Sequence, residues 1–101
     1  MARKIIWSAN AKADKIEIIK YWVVRNKSNL YSKKLNILLK EAVNLIAISP
    51  GIGHLTIKEN IREKIIREYL IIYEIATDSI FIHSIIDGRR NPEEIKKKNL
   101  K

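Results

Sequence analysis

The chain has 101 residues, of which 47% are hydrophobic and 31% charged, with 20 basic against 11 acidic side chains and a formal net charge of +9. This length and composition exclude a disordered polymer and support a single domain, read here as residues 1–101, with attraction to anionic partners. The absence of cysteine excludes disulfides, thiolate catalysis and cysteine-held metal centres, and favours a cytoplasmic setting.

Residues 3–7, RKIIW, read as a short strand, and the opening MARKIIWSAN lacks the sustained apolar core of a signal peptide. Ser8 is placed to cap a helix over residues 9–25, where Ala13, Ile16, Ile19 and Val23 fall at helical spacing. RNKSN ends that helix, and Ser28 or Asn29 can cap a second one at about 29–48. There Tyr31, Leu35, Leu38, Ala42 and Leu45 recur every three or four residues, with Leu39 and Ile46 widening the stripe. The short link predicts an antiparallel helical hairpin. SPGIG then stops the second helix, because Pro50 disfavours helix at Ser49 and the glycines permit a turn.

The period changes after His54, which sits in a glycine-flanked loop. IREKII (61–66) reads as a half-buried strand. YLIIYEI (69–75) and SIFIHSII (79–86) are apolar at both parities, as expected of central strands covered on both faces. Arg67-Glu68 and ATDS supply the turns. No apolar run is long enough to cross a membrane. NPEEIKKK reads as a short C-terminal helix, with Asn91 at its cap and Pro92 in its first turn. The fold class is therefore α+β, in the order β-α-α-β-β-β and a short helix, with the helical hairpin packed on a mainly antiparallel twisted sheet.

Several side chains stand out chemically. Arg89 and Arg90 leave the last strand directly, and guanidinium suits bidentate contact with phosphate or carboxylate. Arg62 and Lys64 share parity on the first meander strand, and with Arg67, Arg89 and Arg90 they are expected to form a basic patch at one end of the sheet. The bland alternative is a charged edge strand that resists aggregation. His83 shares parity with Phe81, Ile85 and Asp87 and reads as a hydrogen-bonded core histidine, or as a general acid or base if a phosphate lies nearby. Tyr69 and Tyr73 read as packing residues with hydroxyls that reach water. No metal-ligand spacing and no phosphate-binding glycine loop is present, so no metal and no cofactor is expected.

Taken in order, the strand ending in WS, the L…SPGIG helix end, IRE, YLIIYEI and IFIHSIIDGRRNP resemble the RelE/ParE superfamily of toxins from type II toxin–antitoxin pairs, over about residues 3–92. The resemblance implies a cognate antitoxin whose acidic segment wraps the toxin. It also implies one of two targets. ParE-like members, which include plasmid-stabilisation proteins, bind and block DNA gyrase. RelE-like members are mRNA interferases, cutting messenger RNA on the ribosome with basic groups around the scissile phosphate. Carried onto this chain, the nuclease reading uses Arg62, Arg90 and His83, with Lys64 weaker. RelE-like nucleases usually carry a Tyr or His soon after the last-strand arginine, and RRNPEEIKKKNLK contains neither. The YLIIYEI strand and the DGRRNP exit favour the ParE-like branch.

Overall fold

The computed structural model describes residues 2–88. The expected C-terminal helix, Arg89 and Arg90 lie outside the described residues. The chain runs β1 (Lys4–Trp7), α1 (Ala9–Asn26), α2 (Leu30–Ile48), a single 3₁₀ turn (Pro50–Ile52), β2 (His54–Leu55), β3 (Ile61–Ile66), β4 (Tyr69–Ile75) and β5 (Ser79–Asp87). The sheet order is β1-β5-β4-β3-β2. β1 runs parallel to β5 and the other pairs are antiparallel. The α+β reading therefore holds, and β2 is an addition to it. Two residues are too few to show a period in sequence.

Local signals account for the helix ends. The Ser8 hydroxyl accepts from the Ala11 amide at 2.9 Å and caps α1. At the other end Lys27 adopts a left-handed conformation, φ 51°. A Cβ makes that conformation costly, and glycine is the usual occupant. Lys27→Gly is expected to raise stability by about 0.5–1 kcal/mol, roughly 2–8 °C in Tm, as read by thermal melting. The Ser28 hydroxyl accepts from the Leu30 amide at 3.2 Å and helps start α2.

α1 buries a different face from the one the spacing predicts, whereas α2 buries most of its predicted stripe. On α1 the core receives Ala11, with Ile18 and Trp22 packed against it, whereas Ile16 is 54% exposed. The inward face of α1 carries Asp14 and the polar edge of Trp22, so hydropathy misleads there. On α2 the buried row is Leu35, Leu39, Ala42, Val43, Ile46 and Ala47, and Leu45 faces out at 49% exposure. Tyr31 packs against the core too, so the periodicity of α2 selects the face that meets the sheet, shifted slightly away from Leu45.

The core joins these helix residues to Tyr69, Ile71, Tyr73, Ile80, Ile82 and Ile85 on one face of the sheet. Ile72 and Ile86, of the opposite parity, are buried as well, consistent with central strands covered on both faces. A β-bulge explains why three isoleucines of β5 share the helix side. Ile72 pairs with Ser84 but Tyr73 pairs with Ile82, which leaves His83 as the extra residue. Beyond it the parity of β5 inverts. Ile85 and Asp87, which strict alternation groups with His83, therefore lie opposite Ile71 and Tyr69.

The N-terminal part of α1 satisfies the backbone that the bulge disrupts. His83 O accepts from Ser8 Oγ at 2.8 Å and from Asn10 Nδ2 at 3.3 Å. The Ile85 amide donates to Asp14 Oδ2 at 3.0 Å. The Ser8 amide donates to Ile82 O at 3.0 Å. Buried backbone groups require such partners, so α1 and the bulge specify each other.

Candidate functional site

Arg62 and Tyr73 are cross-strand neighbours on β3 and β4, and both reach the turn that follows α2. Arg62 Nη1 donates to Gly53 O at 2.8 Å and to Gly51 O at 3.3 Å. The Tyr73 hydroxyl donates to Pro50 O at 2.6 Å and accepts from the Gly53 amide at 3.0 Å. Gly53 is required because a Cβ there would collide with the Tyr73 ring and hydroxyl. Burial pushes the Tyr73 pKa above its ordinary value of 10.0, while the Gly53 amide and the Arg62 charge oppose that shift. The tyrosine is thus held neutral and serves as a fastener. Tyr69 is also internal, its hydroxyl accepting from Trp22 Nε1 at 2.7 Å. Neither tyrosine hydroxyl is the water-reaching group that the sequence suggests.

Both Arg62 bonds use Nη1. Its Nε and Nη2 hydrogens have no protein acceptor among the described residues. One edge of the guanidinium is therefore positioned by backbone carbonyls while another remains available for a bidentate partner. Lys64 lies two residues along the same face and Ile66 completes that row against the core. The helix-side face of β3 thus carries Arg62 and Lys64 where the helices leave room.

Arg67 is the first residue of the two-residue β3–β4 turn and holds a left-handed φ of 57°. It sits at the far end of β3 from Arg62, about five residues or roughly 17 Å along an extended strand. The adjacent Glu68 O accepts from the Gly88 amide, so Arg67 lies near the end of β5. Arg62 and Arg67 are separated by the strand's full length and do not share one end of the sheet, while Arg89 and Arg90 of the expected patch lie outside the described residues.

His83 stands apart from that row. Its Nε2 lies 2.9 Å from Glu74 Oε1, and the two side chains are 43% and 38% exposed. Glu74 pairs with Ile61, one residue out of step with Arg62. Strand alternation therefore puts the His83–Glu74 pair on the sheet face opposite Arg62 and Lys64. His83 is a partly exposed residue at a bulge, hydrogen-bonded to Glu74, rather than a core histidine. The available signal was that Glu74 and His83 are the polar interruptions of two adjacent apolar strands. Among the described residues no group of three or more His, Asp or Glu is placed to hold a metal ion, and no helix is long and apolar enough to cross a membrane.

Comparison with known proteins adds to this geometry. The family model described as the ParE toxin of the type II toxin–antitoxin system, parDE, matches residues 5–92. Among solved structures, the chromosomal ParDE system from P. aeruginosa contains a similar chain, with a TM-score of 0.73 at 18% identity, covering 85% of this chain and 96% of that one. A search of curated protein sequences found no match.

Proposed function

The chain belongs to the ParE toxin family of type II toxin–antitoxin systems, and from that premise we propose that it arrests DNA gyrase and is neutralised by a cognate antitoxin. The observation that carries this reading is the separation of the basic row from the histidine. A nuclease needs its acid or base and its charge-stabilising groups around one phosphate. Here Arg62 and Lys64 lie on one face of the sheet, and His83, occupied by Glu74, lies on the other. That arrangement favours binding over phosphodiester cleavage. Arg62, Lys64 and Arg67 form the described part of the target contact, and Arg89 and Arg90 are proposed to extend it. The acidic segment of the antitoxin competes for the same charges.

Gyrase supercoiling and messenger cleavage on ribosomes, measured in parallel, test the proposal. The wild-type protein is expected to stall supercoiling and leave messenger intact. Lys64→Ala and Arg67→Ala are each expected to raise the half-inhibitory concentration by about 3-fold, and Arg62→Ala by about 10-fold. Arg62 also fastens a turn, so its variant is compared at equal folded fraction. Cleaved messenger with unimpaired gyrase would establish the RelE-like alternative instead.

A further inference from the structure

β2 lies at one edge of the sheet, and the corner around it carries apolar side chains in water. Leu55 is 70% exposed and stands directly across from Arg62, on the same face. Ile52 belongs to the turn whose carbonyls Arg62 holds, and it is exposed as well. Ile57, two residues beyond Leu55, is 80% exposed. Its loop is pinned. The Thr56 hydroxyl donates to Ile61 O at 2.7 Å and accepts from the Lys58 amide at 3.2 Å, and the Ile61 amide donates to Lys58 O at 3.2 Å. Leu45 and Ile48, three residues apart on the last turns of α2, bring exposed apolar surface up to the start of the turn.

Single exposed aliphatic residues are ordinary, but a cluster fixed around a guanidinium is unfavourable in the free protein because it stays hydrated. Covering it reverses the balance. The apolar neighbours then exclude water from Arg62, whose Nε and Nη2 edge has no acceptor among the described residues, and a charge-assisted bond there strengthens as water leaves. We propose that this corner anchors the protein target, a segment of which places an apolar side chain against Ile52 and Leu55 and a carboxylate on the free edge of Arg62. Gyrase is named as that target on the strength of the function proposed above, and the contact is made to its polypeptide rather than to the DNA it holds. A DNA phosphate matches Arg62 but leaves Leu55 and Ile57 hydrated. A second copy of the chain, docked through the same corner, brings Arg62 and Lys64 against like charges.

The test measures binding of the full chain to purified gyrase in the absence of DNA. Wild type is expected to bind, and the double variant Leu55→Ser/Ile57→Ser to bind at least about 10-fold more weakly. Both substitutions fall on exposed side chains, so the variant should still melt cooperatively near the wild-type temperature. Ile57→Ser alone is the milder variant, with an expected loss of about 3-fold. Arg62→Ala, at equal folded fraction, should lose less at high salt than at low salt, whereas the loss from Leu55→Ser/Ile57→Ser persists. Lys15→Ala is the charge-matched control. It lies toward the other edge of the sheet, in a groove that Trp7 and Ile16 share with Lys12, Lys15, Lys20 and Lys33, and should change binding by less than about 2-fold. Wild-type affinity in the double variant, binding only when DNA is present, or equal losses from Lys15→Ala and Arg62→Ala would each overturn the proposal. Growth arrest by the same variants separates its failure from that of the gyrase reading. If wild type arrests growth without binding gyrase, the gyrase reading falls, and the corner survives only if Leu55→Ser/Ile57→Ser abolishes the arrest. If wild type and the double variant inhibit gyrase equally, the corner falls alone.

Discussion

Tyr73→Phe is expected to destabilise the protein by about 2–4 kcal/mol, although it removes a single oxygen atom. That oxygen donates to Pro50 O and accepts from the Gly53 amide. Its loss leaves two backbone groups of a tight turn without a partner, each costing about 1–3 kcal/mol where water cannot reach. Arg62 holds the carbonyls of Gly51 and Gly53, so the turn loosens beneath a side chain proposed for the target contact. Gly53→Ala should act in the same direction by pressing on the Tyr73 ring. Urea unfolding reads both effects, and a loss below about 0.5 kcal/mol for Tyr73→Phe would mean that the turn is held by other contacts.

The same tyrosine predicts a pH dependence. Its folded pKa lies above the ordinary value of 10.0, chiefly because burial disfavours the phenolate. The folded state therefore keeps a proton that the unfolded chain releases. This contribution is complete below the unfolded pKa of about 10 and is lost as pH rises through the folded pKa. The informative quantity is the difference between wild type and Tyr73→Phe, which isolates this hydroxyl. That difference is expected to shrink as pH rises above about 10. A constant difference would show that Tyr73 does not ionise unfavourably in the fold.

Asp14→Ala is expected to cost about 2–3 kcal/mol, a large effect for a carboxylate on a helix of a basic protein. Asp14 Oδ2 accepts from the Ile85 amide just beyond the bulge, and charge-assisted bonds of this kind contribute about 1.5–3 kcal/mol. Removing the acceptor leaves a partly buried amide unpaired and frees the bulge from α1. Asp14→Asn keeps an acceptor and should cost about half as much. Amide hydrogen exchange at Ile85 distinguishes the local effect from global loss of stability. Exchange at Ile85 should accelerate more than at Ile71, its partner on β4. Equal acceleration at both sites would refute the bulge argument.

These effects mark where sequence reading succeeded and where it stopped. The order and approximate limits of the helices and of the meander strands were legible, because Ser8, Ser28, Pro50 and the change from a helical to a strand period act within a few residues. The basic side chains of β3 were identifiable by type and parity. Their use was not. Nothing near Arg62 in the chain indicates that its guanidinium meets carbonyls in the turn after α2, and nothing near Tyr73 reveals its place in that turn. His83 followed the same pattern. A single inserted residue in the β5 register changed which isoleucines share its face, and Glu74 became its partner across the hairpin.

Local chemistry, namely capping, turn residues and apolar periodicity, thus sufficed to define β1, the two helices and the three meander strands, their order and the α+β class, and composition gave the excess of positive charge. Only the tertiary structure decided which face of α1 is buried, that Arg62 and His83 lie on opposite sides of the sheet, and that Trp7, Ile16 and four lysines share a groove. Those outcomes depend on contacts between residues far apart in the chain. They are selected by satisfying backbone groups at the bulge and at the turn after α2, a demand that neither segment expresses on its own.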